Sequence, residues 1–260
     1  MPKNSSHGRF VWYELMTLDP DAAGEFYRGV TGWATMPFEG AGVPYTFWMN
    51  GEAPIGGLMT LPQELASMGV PPHWLPYVGV DDCDATAEKA KKLGARVNVP
   101  PTDIPNVGRF AVLADPQGAV FAIVKELTPP ERDDSLPERG QVSWHELMTT
   151  DHTAAFDFYS KLFGWQKTTA MDMGEMGTYQ MYGTGKLELG GMFNLPPGMP
   201  APPNWLIYVK VPDADKAAAR VKESGGQVMN GPMDIPGGGR IAQCLDPQGA
   251  AFAVHSAPAS

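Results

Sequence analysis

The sequence predicts an α+β fold of four βαβββ units arranged as two tandem domains. Three observations predict it. The 260-residue chain repeats itself: Gly8-Arg9-Phe10-Val11-Trp12-Tyr13-Glu14-Leu15-Met16-Thr17-Leu18-Asp19 is matched 132 positions later by Gly140-Gln141-Val142-Ser143-Trp144-His145-Glu146-Leu147-Met148-Thr149-Thr150-Asp151. Trp74–Val78 is matched by Trp205–Val209, and Asp115-Pro116-Gln117-Gly118 by Asp246-Pro247-Gln248-Gly249, both at an offset of 131. That period is too long for a solenoid and fits duplication of a whole domain. Within each copy, an order of one strand, one helix and three strands occurs twice. Finally, the chain holds 30 Gly and 26 Pro, enough for many tight turns but below the roughly 25–30% that marks disorder.

The elements follow in order along the first copy. Arg9–Met16 alternates apolar and polar residues and is rich in aromatics, as a half-buried strand requires. Asp19-Pro20 then opens a helix, with Asp as N-cap and Pro at the first helical position. Ala22, Ala23, Phe26, Tyr27 and Val30 form its apolar face, and Gly29 and Gly32 are expected to end it. Ala34–Phe38, Tyr45–Asn50 and Pro54–Leu61 read as strands. The same order recurs as strand Trp74–Val80, helix Asp82–Leu93 closed by Gly94, and strands Arg96–Val99, Arg109–Leu113 and Ala119–Val124. Sixteen strands result for the whole chain. The expected limits are residues 8–127 and 140–256, joined by a linker over 128–139 that is rich in proline and charge.

Composition excludes several classes of function. Nineteen Lys and Arg against 29 Asp and Glu leave a formal charge of −10, so nucleic acid and anionic membrane surfaces are poor partners. No run of about 18 apolar residues exists to span a membrane. Met1–Ser6 lacks the apolar stretch of a secretion signal. Cys83 and Cys244 sit in no CxxC or Cys/His cluster, so a reducing, cytoplasmic setting is expected.

The paired βαβββ units resemble the vicinal oxygen chelate superfamily of glyoxalase I, extradiol dioxygenases and bleomycin-resistance proteins. The resemblance rests on Phe26-Tyr27-Arg28-Gly29-Val30-Thr31-Gly32-Trp33, on Phe158-Tyr159-Ser160-Lys161-Leu162-Phe163-Gly164-Trp165, and on the two Asp-Pro-Gln-Gly strands. It spans about Gly8 to Val254. The Trp-x-Glu-Leu-Met-Thr opening is similar to that of two-domain glyoxalase-like proteins of actinobacteria, mycobacterial culture-filtrate antigens among them. The resemblance implies that each pair of units curls into a cup with helices outside, and that metal-dependent members hold a divalent ion at its floor as a Lewis acid. The implied ligand positions are Trp12, Leu75, Ala122 and the pair Gly56-Gly57 in the first copy. In the second they are Trp144, Leu206, Ala253 and Gly190-Gly191. None of these side chains binds a metal. A register slip of one would bring in His145, but its counterpart is Tyr13. No metal or other cofactor is therefore expected.

Strand parity identifies what lines the cups instead. Trp12, Glu14 and Met16 face in, as do Trp144, Glu146 and Met148; Tyr77 and Tyr208 join them, with Lys210 and His255 in the second copy only. An apolar, aromatic cup with few polar groups is the usual makeup of a small-molecule site. Glu14 and Glu146 are the candidate catalytic groups, since a carboxylate among Trp, Met and Tyr is desolvated toward general-base range. The rival role is a structural carboxylate bonded to a Tyr hydroxyl or backbone N–H. Arg109 and Arg240 follow glycines and either clamp a ligand carboxylate or form strand-edge salt bridges. Three functions remain open: a metal-free small-molecule binder with or without proton-transfer or carbonyl chemistry, a metal-dependent lyase or dioxygenase, and a drug-sequestering resistance-type protein. Covalent linkage of the two copies predicts a monomer or weak homodimer.

Overall fold

A computed structural model describes residues 6–39, 42–130, 135–185, 187–196, 198–199 and 201–258. Glu131–Asp134 of the expected linker lie outside the described residues. The first copy contains β1 (Phe10–Thr17), α1 (Pro20–Thr31), β2 (Ala34–Pro37), β3 (Thr46–Asn50), β4 (Ala53–Thr60), α2 (Gln63–Ser67), β5 (His73–Gly79), α3 (Cys83–Lys92), β6 (Arg96–Ile104), β7 (Gly108–Ala114) and β8 (Val120–Glu126). The second contains β9 (Val142–Thr149), α4 (His152–Phe163), β10 (Gln166–Asp172), a 3-10 turn at Gly174–Met176, β11 (Thr178–Gly183), β12 (Glu188–Asn194), β13 (Asn204–Lys210), α5 (Ala214–Glu223), β14 (Gln227–Asp234), β15 (Arg240–Leu245) and β16 (Ala251–Ser256). The strands form two eight-stranded sheets, ordered β2-β3-β4-β1-β5-β8-β7-β6 and β10-β11-β12-β9-β13-β16-β15-β14. The fold is thus α+β with two tandem domains, and neither sheet closes into a barrel.

Local chemistry sets the helix ends. Asp19, Asp82, Asp151 and Asp213 are N-caps whose carboxylates accept from backbone N–H groups one turn on. Helix α1 runs through Gly29, which was expected to help end it; Gly32 alone closes it, at φ 84°, donating its N–H to the Arg28 carbonyl. Strand β6 runs on through Pro100 and Pro101 to Ile104, beyond the expected end at Val99. It lies at a sheet edge, where missing N–H donors cost no ladder bonds.

The chain packs as two compact units, each drawn from both copies. One unit is Met1–Val11, Pro76–Ser135 and Trp144–Trp205; the other is Trp12–Leu75, Leu136–Ser143 and Leu206–Ser260. In the second unit, Leu15, Phe26, Tyr27, Trp33, Trp48, Leu58 and Trp74 form a core with Ile207, Val209, Val221, Phe252 and Val254. Fully buried Tyr27 donates to Asp246 Oδ2 at 3.2 Å and accepts from Trp74 Nε1 at 2.9 Å. In the first unit Tyr159 does the same, donating to Asp115 Oδ2 at 3.0 Å and accepting from Trp205 Nε1 at 3.2 Å. The Phe-Tyr motif of one copy is therefore joined to the Asp-Pro-Gln-Gly motif of the other. Burial raises the pKa of all four partners in these pairs, so the tyrosines stay protonated as donors.

Candidate functional site

Strand β1 divides its side chains between two faces. Leu15 enters the core beneath α1, while Glu14 lies in register with Gly57 of β4 on the opposite face. Above Gly57 stands Tyr45, a residue not singled out from the sequence. A Cβ at Gly57 would lie 1.8 Å from the Tyr45 hydroxyl, so only glycine leaves room for the ring. Tyr45 Oη donates to Glu14 Oε2 at 2.9 Å and accepts from Trp12 Nε1 at 3.1 Å. Phe47 packs edge-on to both Trp12 and Tyr45. Met16 is buried two pairs further along the strand, opposite Met59.

The second copy builds the same set within the first unit. Glu146 lies in register with Gly191, and a Cβ there would lie 2.1 Å from the Tyr179 ring. Tyr179 Oη donates to Glu146 Oε2 at 2.9 Å and accepts from Trp144 Nε1 at 2.7 Å. Met148 pairs with Phe193, whose ring stacks on Tyr179 at 5.7 Å. Glu14 and Glu146 are only 8% and 6% exposed, so both carboxylates are held in largely water-free surroundings. Burial first, and the adjacent carboxylate second, raise the pKa of Tyr45 and Tyr179, which keeps each phenol a donor.

The structure therefore brings together Trp12, Glu14 and Met16 in one unit and Trp144, Glu146 and Met148 in the other. Tyr77 is buried in the first unit with its ring 6.3 Å from Phe110. Tyr208, Lys210 and His255 lie in the second unit. Tyr208 is buried and accepts from Gln243 Nε2 at 2.7 Å. Lys210 donates from Nζ to the Pro137 carbonyl at 2.7 Å. His255 pairs in register with Lys210 and lies 3.0 Å from Ser143 Oγ through Nδ1.

Tyr45 and Tyr179 are the residues of the candidate site that the sequence reading missed. Their signal was present: equivalent tyrosines in both copies, and a Gly-Gly pair inside a strand, which marks close approach of another group. The arginines form surface ion pairs. Arg109 bridges Asp84 and Asp103, and Arg240 bridges Asp215 and Asp234, at 2.7 Å in each case. His145 is buried against Phe10, with ring centroids 3.8 Å apart, and its Nδ1 meets the Leu189 carbonyl at 2.8 Å.

The residues at the positions that the resemblance implies for a divalent ion do not fit one. Leu75, Ala122, Leu206 and Ala253 are buried and offer no donor atom. The indoles of Trp12 and Trp144 are committed as hydrogen-bond donors. Tyrosine rings fill the space beside Gly57 and Gly191. Among the described residues, no group of three or more His, Cys, Asp or Glu could hold a metal. No helix there is long and apolar enough to cross a membrane.

Comparison with known proteins agrees with this architecture. Residues 12–124 match a glyoxalase-like domain, and residues 141–254 match the Glyoxalase/Bleomycin resistance protein/Dioxygenase superfamily. The chain is 36% identical over 260 residues to CFP32 of Mycobacterium tuberculosis, which carries the name of a glyoxylase, covering 98% of this chain and 97% of that protein. It is 34% identical over 259 residues to the anthracycline biosynthesis protein DnrV of Streptomyces peucetius, covering 95% and 92%. Among solved structures, a Mn(II)-bound glyoxalase from Novosphingobium aromaticivorans superposes with a TM-score of 0.64 at 16% identity, over 96% of this chain and 82% of that one. Homoprotocatechuate 2,3-dioxygenase from Brevibacterium fuscum does so with a TM-score of 0.67 at 15% identity, over 99% and 84%. Identities this low speak to fold alone. The chain belongs to the glyoxalase/bleomycin resistance protein/dioxygenase superfamily, with two tandem glyoxalase-like domains.

Proposed function

We propose that this protein binds small organic molecules at two metal-free sites, each built on a Trp–Tyr–Glu set. In this reading Glu14 and Glu146 accept a hydrogen bond or a proton from the ligand, in the manner of proton transfer at a carbon acid or carbonyl. The observation that carries the reading is the tyrosine ring beside each strand glycine. Where the superfamily resemblance places a metal ligand, a phenol stands bonded to the carboxylate. An oriented carboxylate among indole, phenol and thioether groups suits an apolar ligand with one polar handle. The likeness to an anthracycline biosynthesis protein supports an aromatic, fused-ring ligand, whether the outcome is chemistry or sequestration. We place the protein in the cytoplasm, where its buried thiols Cys83 and Cys244 stay reduced.

Metal analysis joined to ligand binding tests this reading. Binding of an aromatic ligand, followed by tryptophan fluorescence, is expected to survive dialysis against a chelator. Glu14→Gln and Glu146→Gln are each expected to weaken it. About one tightly held Ni, Zn, Fe or Mn ion per domain, with binding lost on chelation, would instead establish the metal-dependent lyase or dioxygenase reading.

A further inference from the structure

A cavity of about 410 Å³ lies between α1 and strands β2, β3 and β4, within one compact unit. Buried Trp33 and Leu58 lie at its floor, Asp21, Gly24 and Arg28 line it from the helix, and Thr35 lines it from the edge strand. Leu58 follows Gly57 on β4 and so points to the face of the sheet opposite Tyr45 and Glu14. The cavity is therefore separate from the Trp–Tyr–Glu set. Its volume lies within the range of small-molecule pockets, about 300–1,000 Å³. The space is open because residue 24 is glycine: a Cβ there would meet one atom within 4 Å, Thr35 Cγ2 at 3.4 Å.

The second copy fills the matching place with its own side chains. Gly24 and Thr35 align with Phe156 and Lys167, both at the offset of 132. Thr35 and Lys167 are each the second residue of an edge strand, β2 and β10. Phe156 is buried, and Lys167 Nζ lies 5.1 Å from the centre of its ring, a cation–π contact. An aromatic ring with an ammonium group over it is thus what this niche holds when the chain itself occupies it. The first copy lacks both groups and lines the space with acid instead. Glu25 and Arg28 pair with each other. Asp21, whose counterpart is the neutral Thr153, makes no ion pair or hydrogen bond among the described residues, so one negative charge is left over at the cavity.

We propose that this cavity is a second kind of binding site, for a small molecule in which an aromatic ring carries a protonated amine. The ring sits beside Gly24, in the place that Phe156 takes in the second copy. The ammonium group stays at the rim, where Asp21 supplies the counter-charge. No bond is made or broken. The second copy's niche is already occupied by its own ring and cation, so it takes no ligand, and the chain carries one such site. The inference goes beyond the Trp–Tyr–Glu reading and does not depend on it.

The test uses the full chain and two probes of similar shape, 2-phenylethylamine and 2-phenylethanol, of which only the first is charged at pH 7. Equilibrium dialysis measures affinity and the number of sites per chain. The intact chain is expected to bind both, the amine more tightly. Gly24→Phe, which installs the second copy's ring, is expected to remove one site per chain for both probes. Asp21→Asn is expected to weaken the amine about threefold, the scale of one exposed ion pair, and to leave the alcohol unchanged. Thr35→Lys brings the second copy's ammonium to the cavity and is expected to weaken the amine more than the alcohol; it decides the matter should circular dichroism show Gly24→Phe to be unfolded. An unchanged number of sites in folded Gly24→Phe overturns the proposal and leaves the Trp–Tyr–Glu reading standing. Equal affinity of the intact chain for the two probes, no binding of the amine, or an amine affinity unmoved by both Asp21→Asn and Thr35→Lys overturns it as well.

Discussion

A side chain at Gly57 or Gly191 has nowhere to go except into a tyrosine ring. Gly57→Ala and Gly191→Ala should therefore swing Tyr45 or Tyr179 away and break its bonds to the carboxylate and the indole. The expected cost is about 1–3 kcal/mol per site, from overpacking and the disrupted polar set. It reads out as a lower urea midpoint with a changed near-ultraviolet circular dichroism signal. Unaltered stability and spectrum in both variants would refute the packing argument. His145 makes a different prediction, about pH. Complete burial pushes its imidazole down to about 3 in the folded chain, against an ordinary value of 6.5. Below pH 6.5 the unfolded chain binds a proton that the folded chain refuses. Stability should thus fall as pH drops from 6.5 toward 3, by at most about 1.4 kcal/mol per pH unit from this group. Urea unfolding at several pH values should show a steeper acid slope for the native chain than for His145→Gln. Equal slopes would remove His145 as the cause.

At the scale of elements, what the sequence made legible was whatever is coded locally. Helix starts could be read because Asp19, Asp82, Asp151 and Asp213 cap their own first turns, a contact within three residues. Strand β6 extends past the expected Val99 through Pro100-Pro101, residues that a strand tolerates at a sheet edge, and that edge position is a tertiary fact. Helix α2 has no buried residue and hence no apolar face to announce it. The candidate site was half legible for the same reason. Parity along β1 and β9 found Trp12, Glu14, Trp144 and Glu146. Tyr45 and Tyr179 could be assigned to them only through the β1–β4 and β9–β12 registers, which are tertiary facts. The Asp-Pro-Gln-Gly turns show the limit most clearly. Gln248 holds both the N–H and the carbonyl of Asp19 at 2.7 and 2.8 Å, and Gln117 accepts from Thr149 at 2.8 Å and donates to the Asp151 carbonyl at 2.8 Å. Each turn thus pins the start of a helix in the other copy. The repeated motif is visible in the chain; its partner more than 30 residues away is not.

At the scale of the whole molecule, the sequence repeat and the packing units divide the chain differently, and that has a consequence for the isolated halves. Each compact unit takes one βαβββ segment from each copy. The core of the second unit sets Leu15, Phe26, Tyr27 and Trp48 from the first copy against Ile207, Val209, Phe252 and Val254 from the last. A fragment of residues 8–127 keeps all of its own strands, yet loses these partners. It also loses those that Phe121 finds in Phe158, Tyr159 and Phe163 within the first unit. Each large apolar side chain returned to water costs about 1.5–3 kcal/mol, and several such losses exceed the 5–15 kcal/mol that holds an ordinary domain together. The fragment has two ways out. It can unfold, or it can associate with a second copy whose equivalent residues supply the missing faces, since the repeat makes them similar in shape. The intact chain already supplies both faces in one molecule, so it should sediment as a monomer or weak homodimer, while the fragment at equal concentration should sediment as a dimer or lack cooperative unfolding in urea. A monomeric fragment that unfolds as sharply as the intact chain would mean that each copy is self-sufficient and that the exchange of segments contributes little to stability; a stable tetramer of the intact chain would mean that surfaces beyond these cores drive its association.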